Sequence, residues 1–189
     1  MHFNNACFKI ISISFHIKTP ILVILLWHNC LNICVPNTRI GTVFGSKNIG
    51  VNYFVRKGAY AVIFKNQNEI GLIRTHEQQY FLPGGGIEKG ETAEDALIRE
   101  MLEETGYSIK NNYPFCHAQR YFMSTLPVKR PMLSDGYFFI SQLDQKIQKP
   151  TEKDNYFEWI NIKECEKLLF HVHQYYAVQQ ALKEKGANH

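Results

Sequence analysis

Residues 58–65 read Gly-Ala-Tyr-Ala-Val-Ile-Phe-Lys, a β-branched and aromatic run, and a second apolar stretch covers 70–75 after Asn66-Gln67-Asn68. Two such runs joined by a polar, turn-forming triplet predict a β-hairpin. Tyr80-Phe81-Leu82 predicts a short strand stopped by Pro83, and Gly84-Gly85-Gly86 predicts a loop, because glycine fits neither element well. Thr92 and Asp95 have the spacing of a helix cap and Gly106 suits the left-handed position after a helix, so 93–105 is predicted helical. Further on, 116–125, 136–143 and 158–162 predict strands, the first two separated by a loop holding Pro127 and Pro131. Leu168, Leu169, Val172, Tyr176, Val178 and Leu182 recur at mixed spacings of three and four and predict a helical region over 163–185. Strands mixed with two helical regions imply a sheet covered on more than one face.

Composition changes the picture mainly at the N-terminus. Lys9, Lys18, Arg39 and Lys47 are the only charges in residues 1–50, whereas the 17 other basic residues balance all 17 acids in 51–189. The body is therefore neutral overall, and Lys129-Arg130 beside Pro131 is too short a basic stretch for nucleic-acid binding. Residues 1–43 are expected to be a poorly ordered extension of unknown role, with 44–189 as one domain. The apolar run 21–27 ends at His28 and Asn29, well short of the roughly 20 residues of a membrane span. A signal peptide would need a small-x-small cleavage site, and the stretch from Asn32 to Pro36 lacks a clean one. His28, Cys30 and Cys34 fall one ligand short of a structural zinc site. A translation start within 40–51 at a non-Met codon is a further expectation, open to peptide mapping of the native N-terminus. Cys7, Cys30, Cys34, Cys116 and Cys165 form no disulfide framework, so reduced thiols and a cytoplasmic location are expected.

The candidate chemistry lies on the helix 93–105. At about 100° per residue, Glu100, Glu103 and Glu104 fall within an arc of about 100°, with Leu97, Ile98, Met101 and Leu102 largely opposite. Like charges at these spacings cost an isolated helix a few tenths of a kcal/mol per pair, so a cation is expected to compensate them. Carboxylate oxygens suit Mg²⁺ or Mn²⁺. Ala96 falls in the same arc, and its small side chain would leave an ion room to approach. Arg99 can reach Glu103 one turn on, and the triple glycine before the helix offers backbone amides to an anion. A solvated acidic face is the reading these surroundings displace.

Taken together, Gly85, five residues, Glu91, seven residues and Arg99-Glu100-Met101-Leu102-Glu103-Glu104-Thr105-Gly106-Tyr107 resemble the signature of the Nudix (MutT-type) hydrolases, G-x5-E-x7-R-E-U-x-E-E-x-G-U, with U a bulky apolar residue. Every fixed position is met, and Tyr107 stands where an aliphatic residue is more usual. The wider resemblance takes in the hairpin, Leu-Pro-Gly-Gly before the box, a strand bearing Trp159 and a terminal helix. It implies an α/β/α sandwich with a central mixed sheet, and a metal-dependent hydrolase of a nucleoside diphosphate linked to another group. Under it, Glu100, Glu103 and Glu104 are metal ligands, and one of them or a carboxylate outside the box handles the attacking water. Arg99, Glu91 and Gly106 support the box, and Gly84, Gly85 and Gly86 meet the substrate. Glu152, then Asp154, is the acid expected from a later loop, with an exposed loop acid as the equal alternative. Arg74 resembles a phosphate-contacting arginine, again against a surface role, followed by Arg56 and Arg120.

Tyr121, Phe122, Tyr137 and Phe138 are read as core before base stacking; His171 and His173, at i and i+2, face different ways and so argue against joint metal binding, and they are read as capping or surface residues. The expected partner is a small nucleoside diphosphate derivative, with no nucleic acid and no membrane, and a second copy of the chain as a candidate homodimer partner. A nucleotide-sensing module without turnover is the alternative, although such modules usually lose the carboxylates that are kept here.

Overall fold

The computed structural model describes residues 41–125 and 128–187. In chain order these form β1 (Thr42–Phe44), β2 (Phe54–Ile63), β3 (Glu69–Thr75), β4 (Tyr80–Phe81), β5 (Gly84–Gly86), α1 (Ala93–Thr105), β6 (Tyr107–Ser124), β7 (Arg130–Lys146), β8 (Asn155–Asn161), α2 (Cys165–Leu168) and α3 (Val172–Ala187). The apolar run, His28, Cys30, Cys34 and Cys7 lie outside the described residues. Thr42 and Val43, expected in the extension, pair with Ala118 and Gln119 as part of the sheet. Among the described residues no helix is long and apolar enough to cross a membrane.

The main sheet is mixed, in the order β1-β6-β7-β2-β5, with β1–β6 and β2–β7 parallel and β6–β7 and β2–β5 antiparallel. A second, antiparallel sheet has the order β4-β3-β8. Residues alternate across β2, and the two faces feed different cores. Ala59, Ala61 and Ile63 pack with Ala96, Leu97 and Met101 of α1 and with Phe139. Val62, on the other face, joins Phe138 of β7, Leu72 of β3 and Ala177, Val178 and Ala181 of α3. The sheet is therefore covered by a helix on each side, the sandwich expected from the sequence.

Several local expectations change. The hairpin exists only at its turn, where Asn66 Oδ1 accepts from the Asn68 and Glu69 amides at 2.8 and 3.0 Å and Phe64 pairs with Ile70. Beyond it β3 leaves for the second sheet, because both edges of β2 are occupied, one by β7 and the other by β5. The triple glycine is that edge strand and not a loop: Gly84, Gly85 and Gly86 pair with Tyr60, Ala59 and Gly58. It approaches so closely that a Cβ on Gly84 would lie 2.1 Å from the Ala59 carbonyl oxygen. Strands β6 and β7 are longer than expected: register shifts between Tyr107 and Cys116 absorb Asn111-Asn112 and Phe115 in bulges, while Pro114 stays paired with Phe139. The terminal helix is broken at residues 169–171, where Leu169 bridges to Tyr80 and the Phe170 amide donates to the Tyr80 carbonyl at 2.9 Å.

Helix α1 has the ends its sequence announced. Thr92 accepts from the Asp95 amide at 3.1 Å while the Asp95 carboxylate accepts from the Thr92 amide at 3.3 Å. Its last carbonyls, which have no partners within the helix, are met by residues 147–152. The Ile147 amide donates to the Gly106 carbonyl and the Thr151 amide to the Glu103 carbonyl, both at 2.8 Å. Gly106 itself is left-handed at φ 75°, and a Cβ there would lie 2.1 Å from the Gln148 carbonyl oxygen. Gly50 has nearly the same φ, 78°, with nothing within 4 Å of its would-be Cβ. Alanine at position 50 is expected to cost about 1 kcal/mol from backbone strain alone, and Gly106→Ala about 2 kcal/mol or more because backbone must also shift. Urea unfolding of both variants checks this; equal costs would contradict the packing of the 147–152 segment on α1.

Candidate active site

Arg99 holds the site together. Its Nε donates to Glu91 Oε1 at 2.7 Å, and Nη2 donates to Glu91 Oε2 at 3.0 Å and to the Gly86 carbonyl at 2.8 Å. Nη1 donates to Glu100 Oε1 at 2.9 Å and to Glu103 Oε2 at 3.1 Å. One guanidinium thus ties β5, the turn before α1 and two carboxylates of α1, using the fork geometry that suits arginine to carboxylates. The pairing holds the Glu91 carboxyl down at about 2, mainly through the Arg99 hydrogen bonds and further through the Glu88 amide, which donates to Glu91 Oε2 at 2.8 Å.

The three glutamates of α1 have graded environments. Glu103 is the most open, with 40% of its side chain exposed. Glu100 is half-buried, and burial pushes its carboxyl up against the opposing pull of Arg99. Glu104 is buried, and burial raises its carboxyl well above the usual range; the Gly84 amide, donating to Oε2 at 2.8 Å, works against that rise. Glu152 adds a further negative charge that raises both Glu100 and Glu104. It comes from the loop pinned to the end of α1, where its amide donates to the Glu103 carbonyl at 3.3 Å and its carboxylate accepts from Asn155 Nδ2. Asp154 stays exposed in the same loop.

The box glycines take other roles than an open anion loop. The Gly84 amide is spent on Glu104, and the Gly86 carbonyl on Arg99. Gly85 makes room for Glu100: a Cβ there would lie 2.4 Å from the Glu100 carboxyl carbon. The start of α1 is closed by Thr92 and Asp95, so the expected phosphate cradle of free amides is not what the sequence builds here. Ala96 is likewise fully buried against β2 and leaves no room for an ion, because the core face of α1 is turned further toward it than the wheel suggested.

A cleft of about 630 Å³ opens beside Glu100 and Gly86. Arg56, Lys57 and Arg130 supply its cations, with Phe54, Phe81, Phe122 and Phe170 among its apolar walls. Arg56 passes over Gly86, its Nη2 3.7 Å from where a Cβ would sit. The guanidinium of Arg130 lies 3.7 Å over the Phe54 ring. Arg74 is not among the lining residues. It sits on β3 in the second sheet, donating from Nε to Glu158 at 2.8 Å and covering the Tyr156 ring at 4.8 Å. The sequence could not show that the strand bearing Arg74 leaves the sheet that carries Arg56.

Of the four strand aromatics only Phe122 lines the cleft; Phe138 is core, Tyr121 packs edge-on to Tyr53, and Tyr137 packs against His117. His171 caps α3 with its carbonyl, which accepts from the Gln174 amide at 2.9 Å, but its ring turns inward, 5.1 Å from that of the fully buried His173. Both imidazoles are pulled down to about 3, chiefly by burial, so neither is a surface histidine. Lys57, Phe81, Arg130 and Phe170 carry no sequence signal that marks them as cleft residues. They come from β2, β4, β7 and the break between α2 and α3, and no spacing links them.

A carboxyl held above its ordinary range keeps its proton in the folded chain at a pH where the unfolded chain has lost it. For Glu104, stability is therefore expected to fall as pH rises from about 4.5 toward the raised value. In EDTA, Glu104→Gln should raise the urea midpoint at about pH 8 and give no gain near pH 4, because the amide retains an acceptor for Gly84. A midpoint at the higher pH that stays level or falls would contradict the burial assigned to Glu104.

A NUDIX domain profile matches residues 55–181 of the chain. Over 53 residues the chain is 40% identical to "Putative 8-oxo-dGTP diphosphatase" of Bacillus subtilis, a match spanning 28% of this chain and 36% of that protein. Over 82 residues it is 37% identical to "Putative nudix hydrolase 1" of Caenorhabditis elegans, spanning 39% of this chain and 21% of that protein. The matched regions thus cover well under half the length of these relatives. Among solved structures, a NUDIX hydrolase from Nitrosomonas europaea superposes with a TM-score of 0.55 at 17% identity, covering 70% of this chain and 91% of that one. A MutT NUDIX hydrolase from Burkholderia pseudomallei gives 0.52 at 22% identity, covering 67% and 98%. At these identities the structural likeness is one of fold.

Proposed function

The chain belongs to the Nudix family, and on that premise we propose that it is a divalent-metal-dependent hydrolase cleaving a pyrophosphate bond in a nucleoside diphosphate linked to another group. The observation that supports this best is the gathering of Glu100, Glu103 and Glu104 by Arg99 and β5, with Glu100 at the side of a cation-walled cleft. Among the described residues no three acidic, histidine or cysteine side chains already converge on one point, and Glu100 and Glu103 both lean on Arg99. The donor set nevertheless fits a hard cation. It is all carboxylate oxygen, and burial has raised the cost of keeping Glu100 and Glu104 charged, a cost that a nearby cation offsets.

Glu100, Glu103 and Glu104 would hold Mg²⁺ or Mn²⁺, which when bound supplies neutralisation of phosphate oxygens and a more acidic water. The remaining work falls to the chain. Arg56, beside Gly86 and without an ion-pair partner among the described residues, binds the phosphates. Glu103, the most exposed carboxylate of the set, takes the proton as water oxygen bonds to phosphorus. The bridging P–O bond breaks and the leaving phosphate or nucleotide keeps its electron pair. Glu152 adds negative charge to that of Glu100 and Glu104, and Arg99 fixes the directions of Glu100 and Glu103. No side-chain nucleophile is needed, since phosphoryl transfer depends on positioning and charge neutralisation.

The test is phosphate or pyrophosphate release by the full chain from a panel of nucleoside triphosphates and diphosphate derivatives in Mg²⁺. Wild type should release product and lose activity in EDTA, and Glu103→Gln should fall about a hundredfold or more. Release that is equal in the two proteins, or absent from both, would overturn the hydrolase reading. Arg56→Met should raise KM about tenfold or more with a smaller change in kcat, as loss of a charge-assisted contact to phosphate requires.

A further inference from the structure

The break between α2 and α3 carries Phe170 and His171 into the cleft, and there the imidazole is ringed by Phe170 at 4.9 Å, Phe122 at 5.2 Å and Phe81 at 5.6 Å. Arg120 fixes this group from behind. Its Nη1 donates to the Phe170 carbonyl at 2.9 Å and to His171 Nδ1 at 2.8 Å. A guanidinium has donors only, so Nδ1 is an acceptor and the single proton of the neutral ring resides on Nε2. The cleft is therefore lined by a neutral imidazole that carries its proton on Nε2, within an aromatic enclosure. Arg56 connects this end to the carboxylates, since it acts electrostatically on His171 and also passes over Gly86. Phosphates held at Arg56 would leave the base of a nucleotide at the His171 end.

Resting on the reading of the cleft as a nucleotide site, we propose that His171 determines base specificity: the base stacks among Phe81, Phe122 and Phe170, and Nε2–H donates to an oxo group on its edge. A base with an amino group at that position sets N–H against N–H and leaves a half-buried donor unsatisfied, which costs more than a missing contact. Arg120 is the positioning residue. Without it the proton is free to occupy either ring nitrogen, and the donor at Nε2 is no longer assured. Stacking on the phenylalanines adds affinity without choosing among bases.

Two nucleotide pairs exchange an oxo for an amino group at one carbon, the neighbouring ring nitrogen changing from N–H to bare nitrogen with it: inosine and adenosine triphosphate, and uridine and cytidine triphosphate. For the full chain, kcat/KM should favour the oxo member of each pair about tenfold or more, and His171→Ala should bring both ratios near unity. Arg120→Met should also lower the ratios, and Arg120→Lys, which keeps a donor, should restore part of them. Nitrogen-15 NMR should show His171 as the Nε2–H tautomer in wild type and as a mixture in Arg120→Met, a change that a purely packing role for the arginine would not produce. Equal hydrolysis of all four nucleotides by wild type overturns this inference and leaves the hydrolase reading standing. If none of the four is hydrolysed, the hydrolase reading rests on the wider panel of diphosphate derivatives and calorimetric binding of the same four decides: tighter binding of the oxo members supports the inference, and equal or absent binding overturns it.

Discussion

Arg99 neutralises what the rest of the site concentrates. Glu91, Glu100 and Glu103 all direct oxygens at its guanidinium, and the Gly86 carbonyl takes a further N–H. Without that cation, α1 would carry mutually repelling carboxylates on adjacent turns and β5 would lose its tie to the helix. A lysine could match the charge but not the contacts, because its ammonium has no planar fork with which to hold Glu91 through two oxygens while reaching Glu100 and Glu103. The side chain therefore acts as electrostatic counterweight and mechanical link together.

The close approach that Arg99 secures is possible only because β5 lacks side chains. Gly84 lies against the backbone of β2, Gly85 against the Glu100 carboxyl, and the Gly84 amide reaches the buried Glu104. At the far end of α1, carbonyls that the helix cannot satisfy are taken by residues 147–152, which brings Glu152 to the same set of acids. Steric and charge constraints thus reinforce each other: Gly84 and Gly85 must be glycine for the carboxylates to be buried, and their burial makes a cation at this place favourable.

The cleft has chemically different walls. Arg56, beside Gly86, offers charge, and the phenylalanines about His171 offer stacking surface and one oriented donor. The second wall exists because backbone at 169–170 pairs with β4, interrupting a stretch whose apolar spacing alone favours continuous helix. Local preference gives way there to strand pairing, and the two residues released by the break face the site.

Helix α1 was legible because every determinant is local. Thr92, Asp95 and Gly106 mark its ends, and the period of its apolar and acidic residues follows from 3.6 residues per turn. The grouping of the glutamates, and the reach of Arg99 to Glu103, lie within two turns and so were readable as well. Sequence could not show that Gly84–Gly86 closes the edge of β2, that Arg74 departs with β3 while Arg56 stays, or that His171 turns inward against Arg120. Each of those depends on which distant strand occupies a given edge, a competition among hydrogen-bonding partners far apart in the chain. The sequence by itself determined the acidic helix and its arginine, since neighbours along one helix meet whatever the rest of the chain does. Only the tertiary structure decided what faces them, because a strand edge accepts a single partner and the chain must fold before that partner is chosen.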